Sequence, residues 1–188
     1  MVRWEPGSQG RLEQAALALY GERGFENTTV AEIAERAGLT ERTFFRHYAD
    51  KREVLFAGAG QLKDLLVRSV AAAPDDVAPI DAAVAGLEAA GALMQEGRAF
   101  AVQRAAIIAA NPELQERELI KLASLAAAIA DTLRGRGVAD PAAGLTAEVA
   151  IAVFKIAFER WVEQTNQRSL PQLIRESLVE LQAVTAGA

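Results

Sequence analysis

An all-α protein of about nine helices is the fold class this sequence predicts, and three observations carry that expectation. Ala, Leu, Glu and Arg fill long windows in which β-branched runs are few, a composition that favours helix. Apolar residues recur at i, i+3, i+4 spacing along most of the chain. Gly, Pro and helix-capping residues punctuate those windows at helical lengths, and no strand-like alternation or internal repeat interrupts them.

The elements follow in order. Residues 1–8 read as an arm. A first helix over about Gln9–Arg23 places Leu12, Ala15, Ala16, Leu19 and Tyr20 on one core-facing stripe, with Gly24 as its left-handed cap. Thr29-Val30-Ala31-Glu32 matches a capping box and opens a second helix whose apolar side is Val30, Ile33, Ala34 and Ala37. Gly38 ends it, and Thr40 caps a third helix over about Glu41–Tyr48. Asp50 starts a fourth that runs unbroken to about Ala73, before the break Pro74–Pro79. Helices over Asp81–Glu96, Arg98–Ala110 and Glu113–Leu133 come next. Asp140-Pro141 then caps a long helix to about Asn166, and Ser169–Val184 is the last.

Composition narrows the function classes. Net charge is −5 and the isoelectric point about 5.1. Residues 1–56 hold 8 Lys/Arg against 9 Asp/Glu, so a nucleic-acid face has to arise from local arrangement. The absence of cysteine excludes disulfides, thiolate metal sites and Cys nucleophiles. The start MVRWEPGSQG lacks the apolar core of a signal peptide, and no window is apolar enough to span a bilayer, so a cytoplasmic location is expected. No metal-ligand spacing, phosphate loop or acid/base constellation stands out. No catalytic residue, metal or cofactor is expected.

One segment carries chemistry. Thr28–Glu53 reads as a short helix, a Gly-containing turn and a second helix rich in Arg, aromatic and hydroxyl side chains, the pattern of a helix-turn-helix. Phe44 anchors its second helix in a small core, leaving Thr40, Glu41, Arg42, Thr43, Phe45, Arg46 and His47 outward. Arg42 is the first candidate for base reading, since a guanidinium bonds guanine O6 and N7 together; the alternative is a phosphate contact. Thr43 suits a base edge or a thymine methyl, and Phe45 an apolar or edge contact. Thr29, His47, Tyr48 and Lys51 are placed for phosphates, with Tyr48 equally suited to the core. His47, the single histidine, has no Ser/Asp partner set that suggests catalysis.

Gly24-Phe25, Thr28-Thr29, Ile33-Ala34, Ala37-Gly38-Leu39-Thr40, Thr43–Tyr48 and Lys51 together closely resemble the N-terminal domain of TetR-type transcriptional regulators over about residues 9–56. Glu41, where the family often has a basic or small residue, and Phe45, where tyrosine is commoner, depart from the pattern. The resemblance implies a helix-turn-helix domain over 1–56 and a helical effector-binding and dimerisation domain over 57–188. It implies a repressor released from a near-palindromic double-stranded operator by a small apolar effector. A ligand-independent activator or accessory regulator is one alternative, and a helical enzyme or carrier with an incidental three-helix domain is another. Candidate pocket residues are Leu66, Met94, Phe100, Gln103, Arg104, Ile107 and Leu122, each also explicable as ordinary packing or pairing. Two apolar stripes, Ile151, Phe154, Phe158, Trp161 and Val162, then Leu173 and Leu178, are candidates for a homodimer bundle, unless the monomer itself buries them. The helix from Asp50 toward Ala73 is the expected transmission rod.

Overall fold

Every regular element among the described residues, 7–187 of this computed structural model, is helical. The order is α1 (Ser8–Arg23), α2 (Val30–Arg36), α3 (Glu41–His47), a 3₁₀ turn (Glu53–Phe56), α4 (Ala59–Ala71) and α5 (Pro79–Met94). A second 3₁₀ turn (Gln95–Gly97) leads to α6 (Arg98–Ala109), α7 (Pro112–Gly135), α8 (Ala142–Val162) and α9 (Leu170–Ala186). Of the expected arm, residues 1–6 lie outside the described residues, and Ser8 already begins α1.

Local signals set most boundaries. At Thr29 both halves of the capping box form: Glu32 N–H donates to Thr29 Oγ1 at 3.3 Å, and Thr29 N–H donates to Glu32 Oε2 at 2.8 Å. Ser169 and Gln172 repeat the device at the start of α9. Gly24 takes φ 84° with ψ 157°, a positive-φ stop that is extended and not the left-handed cap expected. Pro141 rather than Asp140 holds the N-cap position of α8, and the Asp140 carboxylate accepts two bonds from the Arg134 guanidinium, at 2.8 and 3.0 Å.

The expected fourth helix is broken. Asp50 Oδ1 accepts from Arg52 N–H at 2.8 Å and starts only a 3₁₀ turn. Ala57 is extended and Gly58 adopts φ 80°, so α4 begins afresh at Ala59. A continuous rod from Asp50 to Ala73 therefore does not exist.

Two compact units result. The first comprises the described residues up to Gly58 together with Val102–Glu118; the second is Ala59–Ala101 with the described residues from Leu119 onward. Residues 102–118, which the sequence reading placed after the 56/57 boundary, thus pack with the N-terminal helices. In the first unit α1 packs on α2, α3 and the first 3₁₀ turn. Leu12, Leu19, Phe25, Ile33, Phe44, Leu55 and Leu114 are buried there. Thr28, buried among apolar side chains, satisfies its hydroxyl by donating to Gly24 O at 2.9 Å.

In the second unit α5 is central, packing on α4, α8 and α9. Leu66, Val70, Leu87, Ile129, Leu133, Trp161, Leu173 and Ile174 belong to its core. Gly86 permits the α4–α5 crossing: a Cβ there would lie 2.7 Å from Val70 Cγ2 and 3.2 Å from Leu66 O. Orphan carbonyls at helix ends find arginines. Arg136 donates to Ala73 O and Pro74 O beyond α4, and Arg98 to Trp161 O and Glu163 O at the end of α8.

Candidate nucleic-acid interface

The turn between α2 and α3 is built for a fixed crossing. Gly38 sits at φ 64°, a region that costs other residues strain, and its N–H donates to Glu35 O while Leu39 N–H donates to Ala34 O at 2.8 Å. Thr40 then caps α3, its Oγ1 accepting from Thr43 N–H at 3.2 Å and lying 3.1 Å from Thr43 Oγ1. Phe44, fully buried, fastens the helix from beneath. Its ring meets Phe45 edge-on at 5.5 Å and Tyr48 at 5.5 Å.

What remains outward is the face the sequence pointed to. Thr40, Glu41, Arg42, Phe45 and Arg46 are exposed, and Thr43 and His47 are half-buried. Charge on this face differs from charge around it. Arg23 pairs with Glu32, Arg36 with Glu22, and Arg52 with Asp50 and Glu113, all at 2.6–2.8 Å. Arg42 and Arg46 make no ion pair or hydrogen bond with any described residue. Residues 1–56 carry no net positive charge, yet α3 presents two guanidinium groups that have no carboxylate partner among the described residues.

Three of the expected phosphate contacts are occupied by the scaffold. Tyr48 is buried at 7% exposure and its hydroxyl donates to Glu13 Oε1 at 2.9 Å; burial, with Glu13 beside it, pushes the phenol well above its ordinary pKa. Lys51 does not lie at an α-helix N-terminus. Its Nζ donates to Phe25 O, Thr28 O and Glu26 O at 2.9, 3.0 and 3.3 Å, and sits 4.4 Å from the Phe25 ring centroid. Those three carbonyls use the three donors of an ammonium. Thr29 is exposed, yet its hydroxyl donates to Glu32 Oε2 at 2.9 Å within the capping box. His47 keeps one ring nitrogen available, since Nε2 lies 2.9 Å from Ser8 Oγ.

Sequence reasoning missed Arg11. It is exposed, and its Nη1 lies 3.8 Å from where a Cβ on Gly38 would be, so it flanks the turn. Nothing in its own helix periodicity marks it, because the relation runs from α1 to a turn 27 residues later.

The segment 102–118 grips the chain just after α3 within the same unit. Arg104 Nε donates to Leu55 O at 2.6 Å, its Nη2 donates to Glu118 Oε2 at 2.6 Å, and its guanidinium carbon is 4.9 Å from the Phe56 ring centroid. Arg117 Nε donates to Glu53 Oε1 at 2.6 Å, and Arg52 Nη1 to Glu113 Oε1 at 2.7 Å. Arg104 is therefore a strut, not a free ligand contact.

The pocket candidates divide between the units. Gln103, Arg104 and Ile107 belong to the first; Leu66, Met94, Phe100 and Leu122 to the second. Leu66 is a fully packed core residue, Met94 and Leu122 lie partly buried against that core, and Gln103 is exposed. The dimer candidates lie against the core of the protomer. Ile151, Trp161, Leu173 and Leu178 are buried inside the protomer, and Phe154, Phe158 and Val162 pack against the same core. The Trp161 indole donates to Gln95 Oε1 at 3.1 Å, which fixes it inward. The apolar side chains that α8 and α9 do expose are Leu145, Ile156, Val179 and Val184, at 64, 49, 60 and 77%.

An N-terminal trio of helices with an α2–turn–α3 pair, followed by further helices alone among the described residues, defines a helix-turn-helix regulator. Residues 13–57 match the profile of bacterial regulatory proteins of the tetR family, and residues 77–186 that of the MftR C-terminal domain. The chain belongs to the TetR family of transcriptional regulators. It is 33% identical over 75 residues to the transcriptional regulator TcmR of Streptomyces glaucescens, covering 40% of this chain and 33% of that protein. It is 38% identical over 47 residues to the transcriptional repressor KstR2 of Mycobacterium tuberculosis, covering 25 and 24%. The matched stretches thus span a third or less of these relatives. The fold is similar to that of Thermus thermophilus FadR, a TetR-family repressor solved with lauroyl-CoA, with TM-score 0.54, 24% identity and 93% of each chain covered.

Proposed function

We propose that this protein is a cytoplasmic, homodimeric repressor whose α3 helices read two half-sites of a near-palindromic operator and that a small apolar effector releases. The observation that carries the DNA-reading face is the pair of arginines, Arg42 and Arg46, without a partner among the described residues on an exposed helix, whereas Arg23, Arg36 and Arg52 nearby are neutralised and Arg11 beside the turn is not. Arg42, in the first turn of α3, is the base reader, with Glu41 beside it to accept from an exocyclic amine such as cytosine N4. Arg46, His47 and Arg11 hold phosphates on either side, which sets register without reading sequence.

Two-fold symmetry follows from this reading mode, because successive major grooves present equivalent edges about 34 Å apart. The faces that support a bundle with a second copy are the exposed ones. On α8, the exposed Leu145, Ala152 and Ile156 and the half-buried Val149 recur at spacings of 4, 3 and 4 along one side, and Val179 and Val184 extend apolar surface onto α9. They lie beside the half-buried Phe154, Phe158 and Val162 of the stripe expected from sequence.

The effector step is a population shift and requires different affinities in the two spacings of the reading helices. Repressor status is supported by KstR2 and FadR, both named as repressors, and an effector with an apolar part by the acyl chain of the lauroyl-CoA bound to FadR. Coupling runs through the α6–α7 segment, whose Arg104 and Arg117 bind Leu55 O and Glu53 just downstream of α3, and not through a continuous helix after Asp50. Selection of bound duplexes from a random pool tests the reading. The expected product is an inverted repeat whose half-site centres lie one helical turn or a multiple apart, protected by a dimer in sedimentation. Enrichment of no common sequence would overturn it.

A further inference from the structure

We propose that Phe45 is a specificity-determining residue that reads thymine, its ring lying against the 5-methyl group of one thymine in each half-site. The inference rests on the DNA-binding reading above and adds to it a particular base.

Among the aromatic side chains of the first unit, Tyr20, Phe25, Phe44, Tyr48 and Phe56 are all at most 7% exposed, whereas Phe45 is 55% exposed. It is the one large exposed hydrophobic among the described residues of that unit. A single exposed apolar side chain is ordinary on a protein surface, so exposure alone decides nothing. Position decides. Phe45 follows Arg42 by one turn and directly precedes Arg46, so it shares α3 with both unpaired guanidinium groups. It also lies four residues after Glu41, on the same side of the helix. Its ring stands edge-on to Phe44, with an interplanar angle of 81°, and Phe44 is immobilised in the core. The ring is therefore presented on a rigid support.

A phenyl ring has no donor or acceptor, so neither a phosphate oxygen nor an exocyclic amine rewards it. The major-groove edges of guanine, cytosine and adenine present hydrogen-bonding groups and ring C–H, but no methyl group. Thymine adds a methyl group, and apolar contact with it is the one form of direct readout open to phenylalanine. Contact with deoxyribose is the competing possibility, and it carries no sequence information.

The test uses the full-length protein and the duplex it selects from a random pool. Each thymine is replaced in turn by deoxyuridine, which removes one methyl group and preserves base pairing. Burial of one methyl corresponds to about fourfold in affinity, so one substituted half-site is expected to weaken binding about fourfold and both about fifteenfold. The sensitivity is expected at one thymine position per half-site. Phe45→Ala binds the selected duplex more weakly and abolishes the thymine-to-uracil difference at that position. Phe45→Leu, which keeps an apolar contact, retains part of it. Because the side chain is exposed, both variants are expected to keep the wild-type circular dichroism and melting temperature.

A wild-type protein that binds uracil-substituted duplexes as tightly as the parent overturns the inference and leaves the DNA-binding reading standing. So does a thymine dependence that survives in Phe45→Ala. Failure to select any duplex would remove the DNA-binding reading and this inference with it.

Discussion

Replacing Lys51 with methionine separates two accounts of the same residue. The sequence suggests a phosphate contact; the structure makes Lys51 a staple across the Phe25–Thr28 loop, donating to three backbone carbonyls beside the Phe25 ring. Methionine keeps an unbranched stem of similar length, so packing is largely preserved while the ammonium is lost. A hydrogen bond to a charged group contributes about 1.5–3 kcal/mol when well shielded, and less for the half-buried Lys51, whose carbonyls water can partly reach. Three such bonds at about 1 kcal/mol each, with a cation–π term of about 0.5 kcal/mol, give a loss of about 2–4 kcal/mol. For a chain of this length that lowers Tm by about 5–15 °C. Differential scanning calorimetry measures it. In parallel, the slope of log affinity against log salt for operator DNA, measured well below Tm, is expected to stay at the wild-type value. A phosphate contact behaves oppositely, leaving Tm nearly unchanged and reducing the slope by about 0.9 per protomer. That second pattern would refute the staple.

Four further outcomes follow from packing and charge. Gly86→Ala puts a methyl 2.7 Å from Val70 Cγ2, and overpacking of this kind costs about 1–3 kcal/mol; Gly144→Ala on α8, where a Cβ meets nothing within 4 Å, is the stabilising control in thermal melts. The Asp50 carboxyl is held below the usual carboxylate range, first by its hydrogen bond from Arg52 and then by backbone N–H groups. A depressed folded-state pKa stabilises above the unfolded value, so the stability advantage of wild type over Asp50→Asn is full above about pH 5 and vanishes as pH falls through the folded pKa, read by urea melts across pH. Leu145→Glu with Ile156→Glu is expected to give a folded monomer in sedimentation, while Trp161→Ala loses about 3–5 kcal/mol of stability because its ring is fully buried.

Features encoded within one helical turn were legible in the sequence. The capping box at Thr29, the cap at Thr40, the stop at Gly38 and the buried Phe44 all depend on neighbours a few residues away. So does the outward set Glu41, Arg42, Phe45 and Arg46, which is what periodicity leaves once Phe44 points inward. Features set by distant partners were not legible. The fate of Lys51 depends on carbonyls 23–26 residues upstream, and the attachment of residues 102–118 to the first unit depends on ion pairs spanning more than 60 residues. On α8 the difficulty is degeneracy. Ala, Val, Ile and Phe occupy so much of its circumference that an apolar stripe can be drawn along several faces, and only packing on α5 and α9 shows which one the protomer buries. The break at Ala57–Gly58 was masked by apolar spacing that continues across it, although Gly58 and Gly60 together were a signal for it.

The central claim is that DNA affinity resides in the two guanidinium groups that α3 leaves unpaired. Its most direct test is the salt dependence of operator binding in three single variants, Arg42→Ala, Arg46→Ala and Arg36→Ala. Arg36 lies on the adjacent helix but is held by Glu22 at 2.8 and 3.0 Å. The prediction is that Arg46→Ala flattens the slope by about 0.9 per protomer for every DNA sequence. Arg42→Ala removes base preference at one position per half-site, worth about 1–3 kcal/mol, and Arg36→Ala binds as wild type does. Wild-type affinity in both α3 variants, or an equal loss in Arg36→Ala, would contradict the claim.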